Sequence, residues 1–90
     1  MHTDEFEISL LRELSVCKNT ILRIKKSLGL LERKHNMTTA YFLEGLRTGR
    51  LVPDPEYQDD YAAWQSSHES LKTWEELERK YQEVFRMMKI

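Results

Sequence analysis

Between Glu32 and Trp64 the chain reads ERKHNMTTAYFLEGLRTGRLVPDPEYQDDYAAW, and this stretch decides the fold because one long helical pattern stops in it and another starts. Thr38 is placed to cap a short helix, with Met37 before the cap and Phe42 four residues after it as a hydrophobic staple. Gly49 can end that helix in the left-handed conformation common at helix C-termini, and Arg47 suits the negative end of its dipole. The run RLVPDPEYQDD then reads as an extended elbow set by Pro53 and Pro55, since a residue before proline avoids the helical region. Asp54 and Pro55 supply an N-cap and a first-turn proline for the next helix.

Upstream, Leu10, Leu14, Cys17, Ile21, Ile24, Leu28 and Leu31 alternate by four and three, which is a heptad seam asking for a facing helix. Asp4 followed by Glu7 is a capping start. Gly29 weakens this helix by roughly 1 kcal/mol relative to alanine, so a bend, if there is one, falls there. Downstream, Tyr57, Tyr61, Trp64, Leu71, Trp74, Leu77, Tyr81, Val84, Phe85 and Met88 form a wider stripe, suited to a helix with more than one neighbour. The expected fold is all-α: two long antiparallel helices in a coiled-coil-like helical hairpin, over 5–35 and 55–88, joined by a short helix over 39–48 and an elbow over 49–54. The 90 residues make one domain, 1–90.

A lone Cys17 excludes an intramolecular disulfide and fits a reducing cytoplasm. The start MHTDEFEISLL is acidic, which argues against a signal peptide, and no run approaches the roughly 20 apolar residues of a membrane span. The net charge of −1 argues against a domain whose affinity comes from neutralising phosphates. Charge is nevertheless polarised. Lys18, Arg23, Lys25 and Lys26 cluster in the first helix, and acids dominate between Asp54 and Glu83. The two signs favour antiparallel alignment of solvated helix faces, and the basic cluster is the place a nucleic acid would be gripped if one were.

Patterns for chemistry are broken. His68 and Glu69 begin an HExx string, but Lys72 stands where a zinc protease needs its second histidine. Cys17, His2, His35 and His68 lack metal-ligand spacing, and Asp59 and Asp60 are adjacent and diverge around a helix. No phosphate-cradling glycine loop occurs. The expectation is a protein that is not an enzyme and carries no cofactor or metal. A short helix made mostly of Thr39, Ala40, Tyr41, Phe42, Leu43 and Leu46 is too apolar to read base edges.

The spaced residues Leu31, Glu32, Lys34, Met37, Thr38, Phe42, Gly49, Leu51, Asp54, Asp60 and Trp64 resemble the block LE-x-K-Y-G-M-[ST]-x-x-x-F…G-x-L-x-D…D…W of small helical prokaryotic proteins that are either of no assigned role or antitoxin-like, encoded beside a short toxin-like protein. The likeness covers about a third of the chain. His35 and Asn36 replace the usual Tyr and Gly, and a longer proline-containing elbow separates Gly49 from Trp64. What the resemblance implies is an interaction protein that inhibits a small toxin-like partner by contact, with no chemistry of its own. Two apolar seams in a chain too small to cover both wide faces make a homodimer the competing or accompanying expectation, and the alternatives are a small regulatory or nucleic-acid-binding protein or a homodimeric structural module. Among the aromatics, Tyr57, Tyr61, Trp64 and Trp74 are the candidate partner anchors, with filling of the hairpin core as the alternative for each.

Overall fold

The computed structural model describes residues 5–52 and 54–88, and within them the chain folds as the helical hairpin. Helix α1 runs over Glu5–His35, α2 over Thr39–Thr48 and α3 over Gln58–Met88, with a 3-10 turn over Pro55–Tyr57 leading into α3. The expected roles of Asp4 and Pro53 fall outside the described residues. The third helix therefore begins three residues later than the proline pattern suggests. Asp54 does cap, accepting from the Glu56 N–H at 3.0 Å, but the first turn is wound tightly as 3-10 before the α-helix takes over.

The seam of α1 is buried where the spacing puts it, at Leu10, Leu14, Cys17, Ile21 and Leu28. Two joints turn the chain back. At the first, Asn36 takes a positive φ of 52° and the Met37 N–H bonds the Glu32 carbonyl at 3.1 Å, closing the end of α1 with asparagine in a position that glycine occupies more cheaply. At the second, Gly49 has φ 78°, its N–H reaches the Leu46 carbonyl, and the Leu51 N–H reaches the Gly45 carbonyl at 2.9 Å. Leu51 folds so closely over Gly45 that a Cβ there would meet its side chain at 2.7 Å, which accounts for a glycine inside α2. Outside, the Arg50 guanidinium lies 3.6 Å over the Tyr41 ring and donates to the Tyr41 carbonyl, so the chain leaving α2 is clasped back onto it.

These joints divide the molecule into a head and a limb. In the head, α2 lies across both long helices and closes a core of Leu28, Phe42, Tyr61 and Trp64, with Ile24, Leu31, Met37 and Leu71 against it. In the limb, α1 packs along α3, with no third helix among the described residues. The result is a rod of 59 × 20 × 17 Å with a radius of gyration of 17.7 Å, against about 12 Å for a compact chain of this length.

Helix α1 passes through Gly29 unbroken, and a Cβ there would touch nothing within 4 Å. Gly29→Ala is accordingly expected to raise stability by up to about 1 kcal/mol, while Gly49→Val, which forces a β-branched side chain to positive φ, is expected to lower it by about 1–2 kcal/mol. Paired thermal melts giving the opposite order would place the break in α1 rather than at the end of α2.

Candidate partner interface

Of the aromatic residues picked from the sequence, three lie in the head. Trp64 is fully buried, its indole stacked on Phe42 with centroids 4.0 Å apart and planes 6° from parallel. Tyr61 is nearly as enclosed and meets Phe42 edge-on at 4.9 Å. Both belong to the interior, so for them the core-filling alternative holds and the exposed-anchor expectation does not. The reason is α2, which covers them. Tyr57 is half-buried beside the His35 ring, centroids 5.0 Å apart.

The polar edge of this core was not foreseen. The Trp64 Nε1–H donates to Thr39 Oγ1 at 2.9 Å, and Thr39 Oγ1 in turn donates to Glu32 Oε2 at 3.0 Å. The same carboxylate oxygen accepts the Thr39 backbone N–H at 2.7 Å. Glu32 at the end of α1 thus caps the start of α2, beside Thr38, whose hydroxyl accepts from the Tyr41 N–H at 3.1 Å. One relay ties all three helices. Nothing in the spacing of Glu32 and Thr39 signals it, because the pairing depends on the tight turn at Asn36.

Beside it, Asp60 Oδ2 accepts from Lys34 Nζ at 2.7 Å and from His35 Nε2 at 2.9 Å. A carboxylate only accepts, so the His35 proton sits on Nε2. The Lys34 ammonium first, and the His35 ring next, hold the Asp60 carboxyl below the ordinary aspartate range. A lowered folded-state pKa contributes stability that is fully present above the unfolded value of about 3.9 and is lost as pH falls from there through the folded value. The urea midpoint of the wild type should therefore drop more steeply below about pH 4 than that of Asp60→Asn. Parallel acid limbs would show that this bridge contributes nothing.

The fourth aromatic, Trp74, lies in the limb on a different surface. From Ser67 to Met88, α3 carries a 3-4 repeat without a charge, through Trp74, Leu77, Tyr81 and Val84. None of these positions is buried within the chain. Trp74, Leu77 and Tyr81 are half-buried, and Val84 and Met88 are each 37% exposed. At about 100° per residue, Ser70, Leu77 and Val84 are rotated off the half-buried line of Ser67, Leu71, Trp74, Glu78, Tyr81 and Phe85 in one sense, and Glu13, Val16, Thr20, Arg23 and Ser27 are rotated off the α1 seam in that same sense. Equal rotations on antiparallel helices fall on one side of a hairpin. α2 covers the other side, where Leu46 lines a groove with Gln58, Tyr61, Ala62 and Gln65. The uncovered side thus presents an uncharged line on α3, beside an α1 line that carries Glu13 and Arg23, in a chain with 32% charged residues.

Lys18, Arg23, Lys25 and Lys26 are all exposed and, among the described residues, make no ion pair. Lys18 and Lys25 line a shallow groove with Glu78, so the cluster is interrupted by acid. Among the described residues, opposite charge on the two long helices is realised as contact only at Asp60. Cys17 is 1% exposed, and burial first, then the Glu78 and Glu13 carboxylates, push its thiol up, away from the nucleophilic thiolate. Among the described residues no three His, Cys, Asp or Glu side chains gather as a metal site, and no helix is long and apolar enough to cross a membrane. Comparison with family models, curated proteins and solved structures returns no match. The eleven residues that carry the antitoxin-type resemblance are largely the builders of the head: Glu32, Lys34, Thr38, Phe42, Gly49, Asp54, Asp60 and Trp64 each cap, bridge or fill it. A likeness made of such residues speaks for the turn of the hairpin.

Proposed function

We propose that this protein is a protein-binding module that acts by contact rather than by chemistry, and that its docking surface is the uncharged strip of α3 on the side α2 leaves uncovered. The observation that supports this reading is the combination of Trp74, Leu77, Tyr81 and Val84 at helical spacing with incomplete burial. Such a strip takes an amphipathic helix laid into it, and aromatic anchors dominate the energy of such contacts. The antitoxin-type resemblance fits a module of this sort, neutralising a small toxin-like protein in the cytoplasm. Exposure of Lys18, Arg23, Lys25 and Lys26 supports nucleic-acid binding as the second reading, which the net charge of −1 disfavours.

Affinity capture with the tagged full-length chain separates the two. A protein partner held in the strip should be retained at high salt after nuclease treatment, and Trp74→Ala should weaken its capture more than a double change of Lys25 and Lys26 to alanine. The burial of Trp64 makes that residue a probe of folding, and Trp74 the probe of binding. Recovery of nuclease-sensitive material that is lost at moderate salt, with no stoichiometric protein, would replace the first reading by the second.

A further inference from the structure

Resting on the reading of the α3 strip as a protein-binding surface, we infer that its occupant is a second copy of this chain, the two limbs closing into a four-helix bundle. The chain exposes 6980 Å², against about 5500 Å² for a compact monomer of its 10.8 kDa, an excess on the order of 1400 Å². A standard protein interface removes about 800 Å² from each partner, so the excess is enough for one such contact. The spacing specifies what fills it. A 3-4 repeat running over three heptads from Ser67 to Met88 interleaves with a helix of the same period, and the second copy brings that repeat in a symmetric arrangement where each strip faces the other. Electrostatics permit it, because the strip carries no charge and a net charge of −1 leaves two copies almost without mutual repulsion. The head gains nothing from a partner, since α2 already closes its core. The limb lacks a third helix, and α3 beyond Trp64 has no buried residue among those described.

Sedimentation equilibrium of the full chain at about 10 µM should give twice 10.8 kDa. Val84→Glu changes a position already 37% exposed and leaves the hairpin core alone. Because symmetry places the charge twice in the contact, the dimer dissociation constant should rise about 1000-fold, giving the monomer mass with unchanged helix content by circular dichroism. Leu22→Glu, at an apolar position 66% exposed on the opposite side, should stay dimeric. If Val84→Glu does not fold, Met88→Glu tests the same strip one turn further on, at the last residue of α3. A wild type that stays monomeric at 100 µM overturns the self-association. If that monomer captures another protein in a Trp74-dependent way, the binding-module reading stands without it. Dimerisation abolished by Leu22→Glu and untouched by Val84→Glu also overturns the proposal, by moving the contact to the α2 side.

Discussion

Trp64→Ala is expected to lower unfolding free energy by about 3–5 kcal/mol, the cost of emptying a large aromatic site in a core that cannot fully collapse. Three losses combine there. The indole gives up its stack on Phe42, Thr39 loses the N–H it accepts, and Leu28 and Tyr61 lose a neighbour in the head, where three helices meet. Small domains have roughly 5–15 kcal/mol in total, and an elongated one with a single full core lies toward the lower end, so the variant should be substantially unfolded or lack fixed tertiary packing at 37 °C. Urea titration followed by near- and far-ultraviolet circular dichroism measures it. A shift below about 1 kcal/mol would mean that Trp64 is not the keystone of the head. Trp64→Phe separates the terms: it keeps most of the stack and deletes the donor, and should cost about 1 kcal/mol.

Glu32→Ala is expected to cost about 2–3 kcal/mol, more than is usual for a half-exposed glutamate. Its carboxylate accepts two hydrogen bonds from Thr39, and bonds to a charged acceptor contribute about 1.5–3 kcal/mol. It also faces the positive end of α2, whose first N–H groups have no partner within the helix. Glu32→Gln keeps an acceptor and loses the charge, so it should lie between wild type and alanine. The relay makes a further demand. Combining Glu32→Ala with Trp64→Phe should cost less than the sum of the two, because both act through the Thr39 hydroxyl. Strict additivity of the urea midpoints would show that the three groups are not coupled.

Much of the hairpin was legible in the sequence because it is written in periods and caps. The seam from Leu10 to Leu31, the Thr38 cap with its Met37–Phe42 staple, and the glycine stop at Gly49 are local signals, and each appears where its spacing puts it. What escaped depends on geometry across the turn. The choice between partner anchor and core filling for Tyr61 and Trp64 stayed open because helical spacing tells which residues share a stripe, not which stripe the short helix will cover. Glu32, Thr39 and Gly45 carry no recognisable pattern, since their roles arise only once Asn36 has turned the chain by a positive φ. Asp60 was visible only as one of a pair of adjacent acids, and Lys34 and His35 give it a distinct role. The uncharged repeat of α3 was legible as an unusually wide stripe, and the structure explains the width, because α1 and α2 together leave one edge of it open.

The division into a closed head and an open limb also sets an order in time. Contacts of the head join residues such as Thr39 and Trp64, 25 apart in sequence, whereas limb neighbours such as Cys17 and Glu78 are about 60 apart. Closing the longer loop directly would cost only about 0.8 kcal/mol more in chain entropy, but once the head is made each further turn of the limb has merely a few residues left to order. Assembly is therefore expected to begin at the α2 turn and to zip toward the two termini, and hydrogen exchange should show amide protection falling from Trp64 to Met88 as local opening runs backward along the same track.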